Sequence, residues 1–225
     1  MTDPTLAAGA VVLAIGLADS VNPSTVAPAI ALAVREGGAR QAAMFTLGVA
    51  TVSLLGGAVL VAGPGQAILA AIPHPGAEFK KIAEIGVGAL LLALAAAAWI
   101  GRHRIARRVS DAGERRVRGA GLVAAFGLGA GIMAVELPTA FPYFGAIAAI
   151  VGTGASLPAQ LLLVLVFNVA FVLPLLAIVA VRLIAGDRAA AGLERFRSWL
   201  ARHAGTALGV VLGAGGVALL AFGLG

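Results

Sequence analysis

Six apolar stretches divide the chain: residues 6–34, 41–62, 82–100, 119–151, 158–181 and 204–224. Each is near or above the roughly 20 residues that a helix needs to cross a bilayer. Most of the charged residues lie between them. The pattern predicts an all-α integral membrane protein with six transmembrane helices. The first and fourth stretches are too long for one straight span, and each has prolines and an acid near its middle. Asp19, Asn22, Pro23, Ser24, Thr25 and Pro28 interrupt the first; Glu136, Pro138, Thr139 and Pro142 interrupt the fourth.

Proline lacks the N–H that a helix interior needs and clashes with the turn before it. It is best tolerated at the start of a helix, behind an Asn, Ser or Thr cap. Asn22 is therefore expected to cap a half-helix that begins at Pro23, and Leu137-Pro138 marks the matching stop or restart. Unwound backbone leaves N–H and C=O groups unpaired, so such a break must face protein or a watery cavity. Two restarted helices aim positive dipole ends at that cavity, which favours an anionic head such as phosphate or sulfate. Asp19 and Glu136 are each costly at mid-bilayer, by about 2.5 kcal/mol or more for an Asp on insertion scales. They are read as carriers of a proton or ion, and the alternative is that each only caps a broken helix. Asn168, in the fifth stretch ahead of Pro174, is either a further path residue or a hydrogen-bonding link between helices. Thr46, Thr51 and Ser53 are expected to bond back to their own backbone.

The two halves match in their unusual features. Long, proline-broken, acidic stretches open each half, and Gly/Ala-rich stretches behind a basic pair (Lys80-Lys81, Arg202-His203) close each. Three spans per half insert with opposite orientation, which is the inverted-repeat plan of many secondary transporters. The expected organisation is a first three-helix repeat over 1–101, a basic cytoplasmic loop over 102–118 and a second repeat over 119–225. With the N-terminus outside, fourteen of the sixteen Lys and Arg residues fall in cytoplasmic segments, leaving only Lys80 and Lys81 outside. That asymmetry predicts both termini outside the cytoplasmic (inner) membrane. In the segment 187–203, Leu193, Phe196 and Leu200 share a helical face, which predicts a short amphipathic helix on the inner surface. Its alternative is a solvated loop. The glycines of the fourth and sixth stretches, among them Gly127, Gly129, Gly131 and Gly213, are read first as close-packing positions, and secondly as the floor of a side opening.

Composition narrows the chemistry. Of 225 residues, 60% are hydrophobic and 12% charged, with a mean hydropathy of +1.02. A soluble domain carries about 25% charged residues. The net charge of +6 is explained by cytoplasmic loops, so no nucleic-acid partner is expected. The first ten residues hold Asp3 and no Lys or Arg, unlike the basic start of a cleaved signal peptide. There is no cysteine, which excludes disulfides and thiol redox relays in this chain. His74, His103 and His203 are scattered at loops and helix ends and suggest no metal site. No phosphate-binding G-x-x-x-x-G-K-[ST] loop is present, so ATP hydrolysis in this chain is not expected. No nucleophile–base pair points to an enzyme, and no cofactor is expected.

The motifs GLADSVNPSTVAPAI (residues 16–30) and ELPTAFPYFGAIAAI (residues 136–150) resemble the GAP family. These are the glycopeptidolipid- and sulfolipid-addressing proteins of actinobacteria, placed in the LysE transporter superfamily. The chain is also similar in plan to the DsbD and CcdA thiol–electron carriers. Their motif cysteines are absent here, where Asn22-Pro23-Ser24 and Leu137-Pro138-Thr139 stand instead. The resemblance implies a 3+3 inverted repeat with mobile first and fourth spans, and export of a cell-envelope lipid or its precursor.

Two further classes stay open on the residues alone. A small-cation or metal exporter would use both acids as ligands, although hard cations want more oxygens than two carboxylates supply. A non-transporting adaptor of a lipid-export complex would dock through the basic loop, whose simpler role is topology and contact with anionic lipid. The expected partners are membrane lipids, a transported substrate, a proton or cation, and in one arrangement a second copy of the chain.

Overall fold

The structure is a computed structural model, and it describes residues 4–63, 77–101 and 121–224. Every described element is helical. In chain order these are α1 (Pro4–Asp19), α2 (Pro23–Ala33), α3 (Gly38–Ala62), α4 (Ala77–Ile100) and α5 (Leu122–Glu136). A 3-10 turn (Leu137–Thr139) follows, then α6 (Phe141–Gly152), α7 (Leu157–Ala185) and α8 (Arg188–Leu224). The basic loop 102–118, with His74 and His103, lies outside the described residues.

Among the described residues, α3 and α7 are each long and apolar enough to cross a membrane, and the count rises to four if each bent pair is one span. The bent pairs are those that the prolines mark: α1 turns into α2 by 61°, and α5 into α6 by 76°. The first and fourth stretches are thus two helices each.

Two compact units are present. One holds α1–α3, α5–α7 and the start of α8 through Arg195; the other holds α4 and the rest of α8. In the first, α1 packs on α6 and α7, α2 on α3, α5 and α7, α3 on α5, α6 and α7, and α6 on α7. α2 is the enclosed element, with every residue from Thr25 to Ala33 buried. The restarted half-helix is thus sheathed in protein, while Val21 in the break itself is 49% exposed. The long helices turn large apolar side chains outward: Leu55 on α3 is 59% exposed and Leu183 on α7 is 67% exposed. Exposed apolar surface on such a scale suits a lipid environment and would be a liability in water.

Glycine sets the closest approach. A Cβ on Gly48 would collide with the Phe126 carbonyl oxygen, and one on Gly129 with that of Phe45. α3 and α5 therefore meet backbone to backbone, as small residues allow between membrane helices. On α1, a Cβ on Gly16 would lie 2.9 Å from the Phe167 carbonyl oxygen of α7.

The C-terminal region departs from expectation. A surface helix followed by a separate span was predicted; α8 instead runs unbroken through 37 residues. No proline interrupts it, and the charges of Arg195, Arg197 and Arg202 do not disturb backbone hydrogen bonding. Of its expected apolar face, Leu193 and Leu200 are buried and Phe196 is half-exposed. Phe196, Trp199 and His203 stack in sequence, with ring centroids 5.9 Å and 4.7 Å apart.

Candidate functional site

The first break is built from its own side chains. Asn22 has extended backbone (φ −70°, ψ 119°) and Pro23 opens α2, as the cap rule requires. The Asn22 side-chain oxygen accepts from the Ser24 backbone N–H at 3.1 Å and from the Ser24 hydroxyl at 2.7 Å. The Asn22 carbonyl accepts from the N–H groups of Thr25 and Val26 and from the Thr25 hydroxyl. The donors at the start of α2 are thus occupied within the turn. The anion site expected at this half-helix end therefore has none of these N–H groups to offer.

The second break is shaped differently. α5 stops at Glu136, and the 3-10 turn holds Pro138. The α-helix resumes at Phe141, with Pro142 in its first turn and no side-chain cap from Ala140. Thr139 belongs to this turn, and its side chain is outside the described residues.

The breaks meet. The Asn22 side-chain amide donates to Glu136 Oε2 at 3.1 Å, across 114 residues of chain. Around this bond lies a cavity of about 340 Å³ lined by Asp19, Asn22, Ser24, Met133, Glu136, Ala140, Pro142 and Phe171. Both acids, the amide and a hydroxyl thus share one wall set, with no basic residue among the described residues of the lining. Phe171 is held by an aromatic row, stacking on Phe167 at 5.9 Å, which meets the edge of Tyr143 at 5.3 Å.

Five of the sequence-nominated residues line this cavity: Asp19, Asn22, Ser24, Glu136 and Pro142. Pro23 is the first residue of α2, directly behind the Asn22 cap. Thr25 is buried and bonded to its own turn, and Pro28 is buried inside α2. Asn168 is buried and donates to the Ala50 carbonyl of α3 at 3.3 Å, so it joins two helices and is not in the lining. Thr46 and Thr51 bond to carbonyls four residues back, as expected.

Met133, Phe171 and Tyr143 were not singled out from the sequence. Tyr143 is fully enclosed, and its hydroxyl donates to the Ser53 carbonyl at 2.6 Å, pinning α6 to α3. A lone tyrosine in an apolar stretch was the available signal, since a buried hydroxyl needs a partner. Among the described residues, no group of three or more His, Cys, Asp or Glu is placed to hold a metal ion.

Apolar long helices, two broken pairs and a polar cavity between the breaks define a helical membrane protein with an internal polar site. Within that class, the chain belongs to the Sap, sulfolipid-1-addressing protein, family, whose model matches residues 12–225. The resemblance to lipid-addressing proteins is borne out. No curated protein and no solved structure matches the chain.

Proposed function

We propose that the protein is a secondary exporter of the cytoplasmic membrane that moves a cell-envelope lipid or lipid precursor by proton- or ion-coupled alternating access. The observation that carries this reading is the Asn22–Glu136 bond inside a cavity lined by both breaks and both acids. The lipid follows from the family, named for sulfolipid-1 addressing.

A six-span inverted repeat, with both termini outside, is the frame of this proposal. Its support is the packing pattern. If α1, α2 and α3 correspond to α5, α6 and α7, every packed pair has its counterpart. α1 on α7 matches α5 on α3, α2 on α3 matches α6 on α7, α1 on α6 matches α5 on α2, and α2 on α7 matches α6 on α3. The glycine contacts follow the same exchange, Gly16 to Phe167 and Gly129 to Phe45. α4 and α8 would then be the third spans of each repeat.

In the mechanism, an ionised Glu136 accepts a charge-assisted hydrogen bond from Asn22 and holds the two breaks together. Protonation weakens that bond, since charge-assisted bonds are roughly twice as strong as neutral ones. α2 is then released from the end of α5, and Asp19 offers the second carboxylate on the same cavity. No enzyme chemistry is part of this reading.

A cation exporter is the second reading, favoured by two carboxylates in a cavity that has no basic residue among its described lining residues. A deletion strain separates the two. Lipid export predicts a lipid retained inside with no new sensitivity to divalent metals. Metal sensitivity with a normal surface lipid profile overturns lipid export in favour of the cation.

A further inference from the structure

Arg182, in the last turn of α7, is the one buried charged residue among the described residues, at 7% exposure. A guanidinium has five N–H donors, and burying it is costly unless they are met. Here they are met in part. Nη2 donates to the Arg35 carbonyl at 3.2 Å and to the Asp187 carboxylate at 2.6 Å. The Arg35 carbonyl also accepts from the Gly38 N–H at 2.9 Å, so the guanidinium sits on the turn between α2 and α3. Nη1 is closed off from solvent and has no hydrogen-bond partner among the described residues. Asp187, the acid that meets the charge, is 97% exposed. A tie between helix ends accounts for the bond to Arg35. It does not account for a buried charge matched by a solvated acid, nor for the idle Nη1.

Resting on the lipid reading above, we propose that Arg182 is where the exporter reads the anionic head of a membrane lipid, a sulfate or phosphate monoester, and that Asp187 holds the place until the head displaces it. Asp187 already shows that an oxyanion fits against Nη2. A sulfate or phosphate monoester presents three such oxygens. One can replace the Asp187 oxygen while another serves Nη1, the two-pronged match that a guanidinium favours. The exchange is cheap on the Asp187 side, because an exposed carboxylate returns to water and a screened pair is weak. Location makes the anion a lipid's. Val181, Leu183 and Ile184 flank Arg182 in the chain and are 46%, 67% and 87% exposed, so the alkyl chains behind such a head have apolar helix surface beside it. The chain on either side of the Arg182–Arg35 bond carries Arg35, Arg40, Arg182 and Arg188 against Glu36 and Asp187, a locally positive field. Under the correspondence proposed above, α3 is the counterpart of α7, yet its last turn has no basic residue. The site therefore exists at one end of the bundle. In the proposed topology that end faces the cytoplasm, the side from which an exporter loads.

The test uses the full-length protein in nanodiscs of phosphatidylcholine. Three probe lipids share their acyl chains, with a diazirine close to the head, and differ in head: sulfated glucosyl, phosphate monoester or plain glucosyl. Saturable photolabelling around Arg182, within residues 178–190, is expected from both anionic probes, with the neutral probe weaker by about tenfold, a difference of roughly 1.4 kcal/mol. Asp187→Asn removes the competing carboxylate and should tighten the anionic probes by about threefold, the scale of an exposed ion pair. Arg182→Gln should weaken them to the level of the neutral probe. Opposite signs at the two ends of one ion pair mark competition for a ligand, whereas a purely structural tie would move both variants the same way or neither. Asp187 is exposed, so its variant decides the matter even where Arg182→Gln does not insert. Unchanged or weaker binding by Asp187→Asn overturns the proposal, and so does equal labelling by the neutral probe. Full protection by inorganic sulfate or phosphate equimolar with the probe, with chloride as the ionic-strength control, overturns the lipid in favour of a free anion. Any of these failures alongside lipid retention in the deletion strain sinks this site and leaves lipid export standing. Labelling as expected with a normal lipid profile in that strain upholds the site and sinks lipid export.

Discussion

The side-chain amide of Asn22 donates to the Glu136 carboxylate at 3.1 Å, and the same side chain caps α2 through its oxygen. One residue therefore ends a helix break in the first half and grips the break in the second. The two duties are separable by substitution.

Asn22→Ser keeps a capping oxygen but shortens the reach to Glu136, while Asn22→Ala removes both. An N-cap replaced by alanine costs about 0.5–2 kcal/mol. Asn22→Ala should lower the thermal midpoint of the detergent-solubilised protein, and Asn22→Ser should stay near wild type. Both should lose export. Wild-type export by Asn22→Ser would show that the contact with Glu136 is dispensable.

The glycine interlock is the most demanding packing feature. Gly129→Ala puts a methyl carbon against the Phe45 carbonyl, where backbone must move. Overpacking of this kind costs typically about 1–3 kcal/mol. The yield of folded monomer by size-exclusion chromatography should fall for Gly129→Ala and Gly48→Ala. Gly127→Ala, with open space around it, should leave the yield unchanged.

Tyr143→Phe removes the hydroxyl bonded to Ser53 and leaves the ring in its aromatic row. Hydrogen bonds between membrane helices average about 0.6 kcal/mol. The expected result is a small drop in midpoint with export largely kept. A collapse of export with an unchanged midpoint would move Tyr143 from support into the transport path.

Arg182 is 7% exposed and donates to the Asp187 carboxylate at 2.6 Å and the Arg35 carbonyl at 3.2 Å, tying α7 to the end of α2. Asp187 is itself 97% exposed, so solvent screens that pair. Asp187→Asn should therefore change stability little, and Arg182→Ala should be clearly worse because the link to Arg35 and the buried packing are lost. Equal midpoints for the two variants would show that the Arg35 link contributes nothing.

The breaks were legible because their chemistry is local. Asn22-Pro23 dictates a cap and a restart whatever surrounds it, and an acid at mid-stretch has few stable places to go. The second break was read less well: Pro138 marks the stop, but the restart falls at Phe141 because a 3-10 turn intervenes. Gly129 and Gly131 are two residues apart in one helix and look alike in sequence. Only the position of α3 makes one a packing contact and leaves open space beside the other. The continuity of α8 was missed because charge patterning marks where water begins, and a helix can cross that boundary without ending.

The most direct test of the account is lipid movement by protein reconstituted in liposomes under an imposed pH gradient, comparing wild type with Asp19→Asn and Glu136→Gln. Both substitutions keep shape and hydrogen bonding while removing the titratable charge. The account predicts gradient-dependent lipid movement by wild type, and its loss or uncoupling from the gradient in each inserted, folded variant. Wild-type rates with unchanged pH dependence in both variants would contradict it, leaving the two acids as helix caps and the transport site elsewhere.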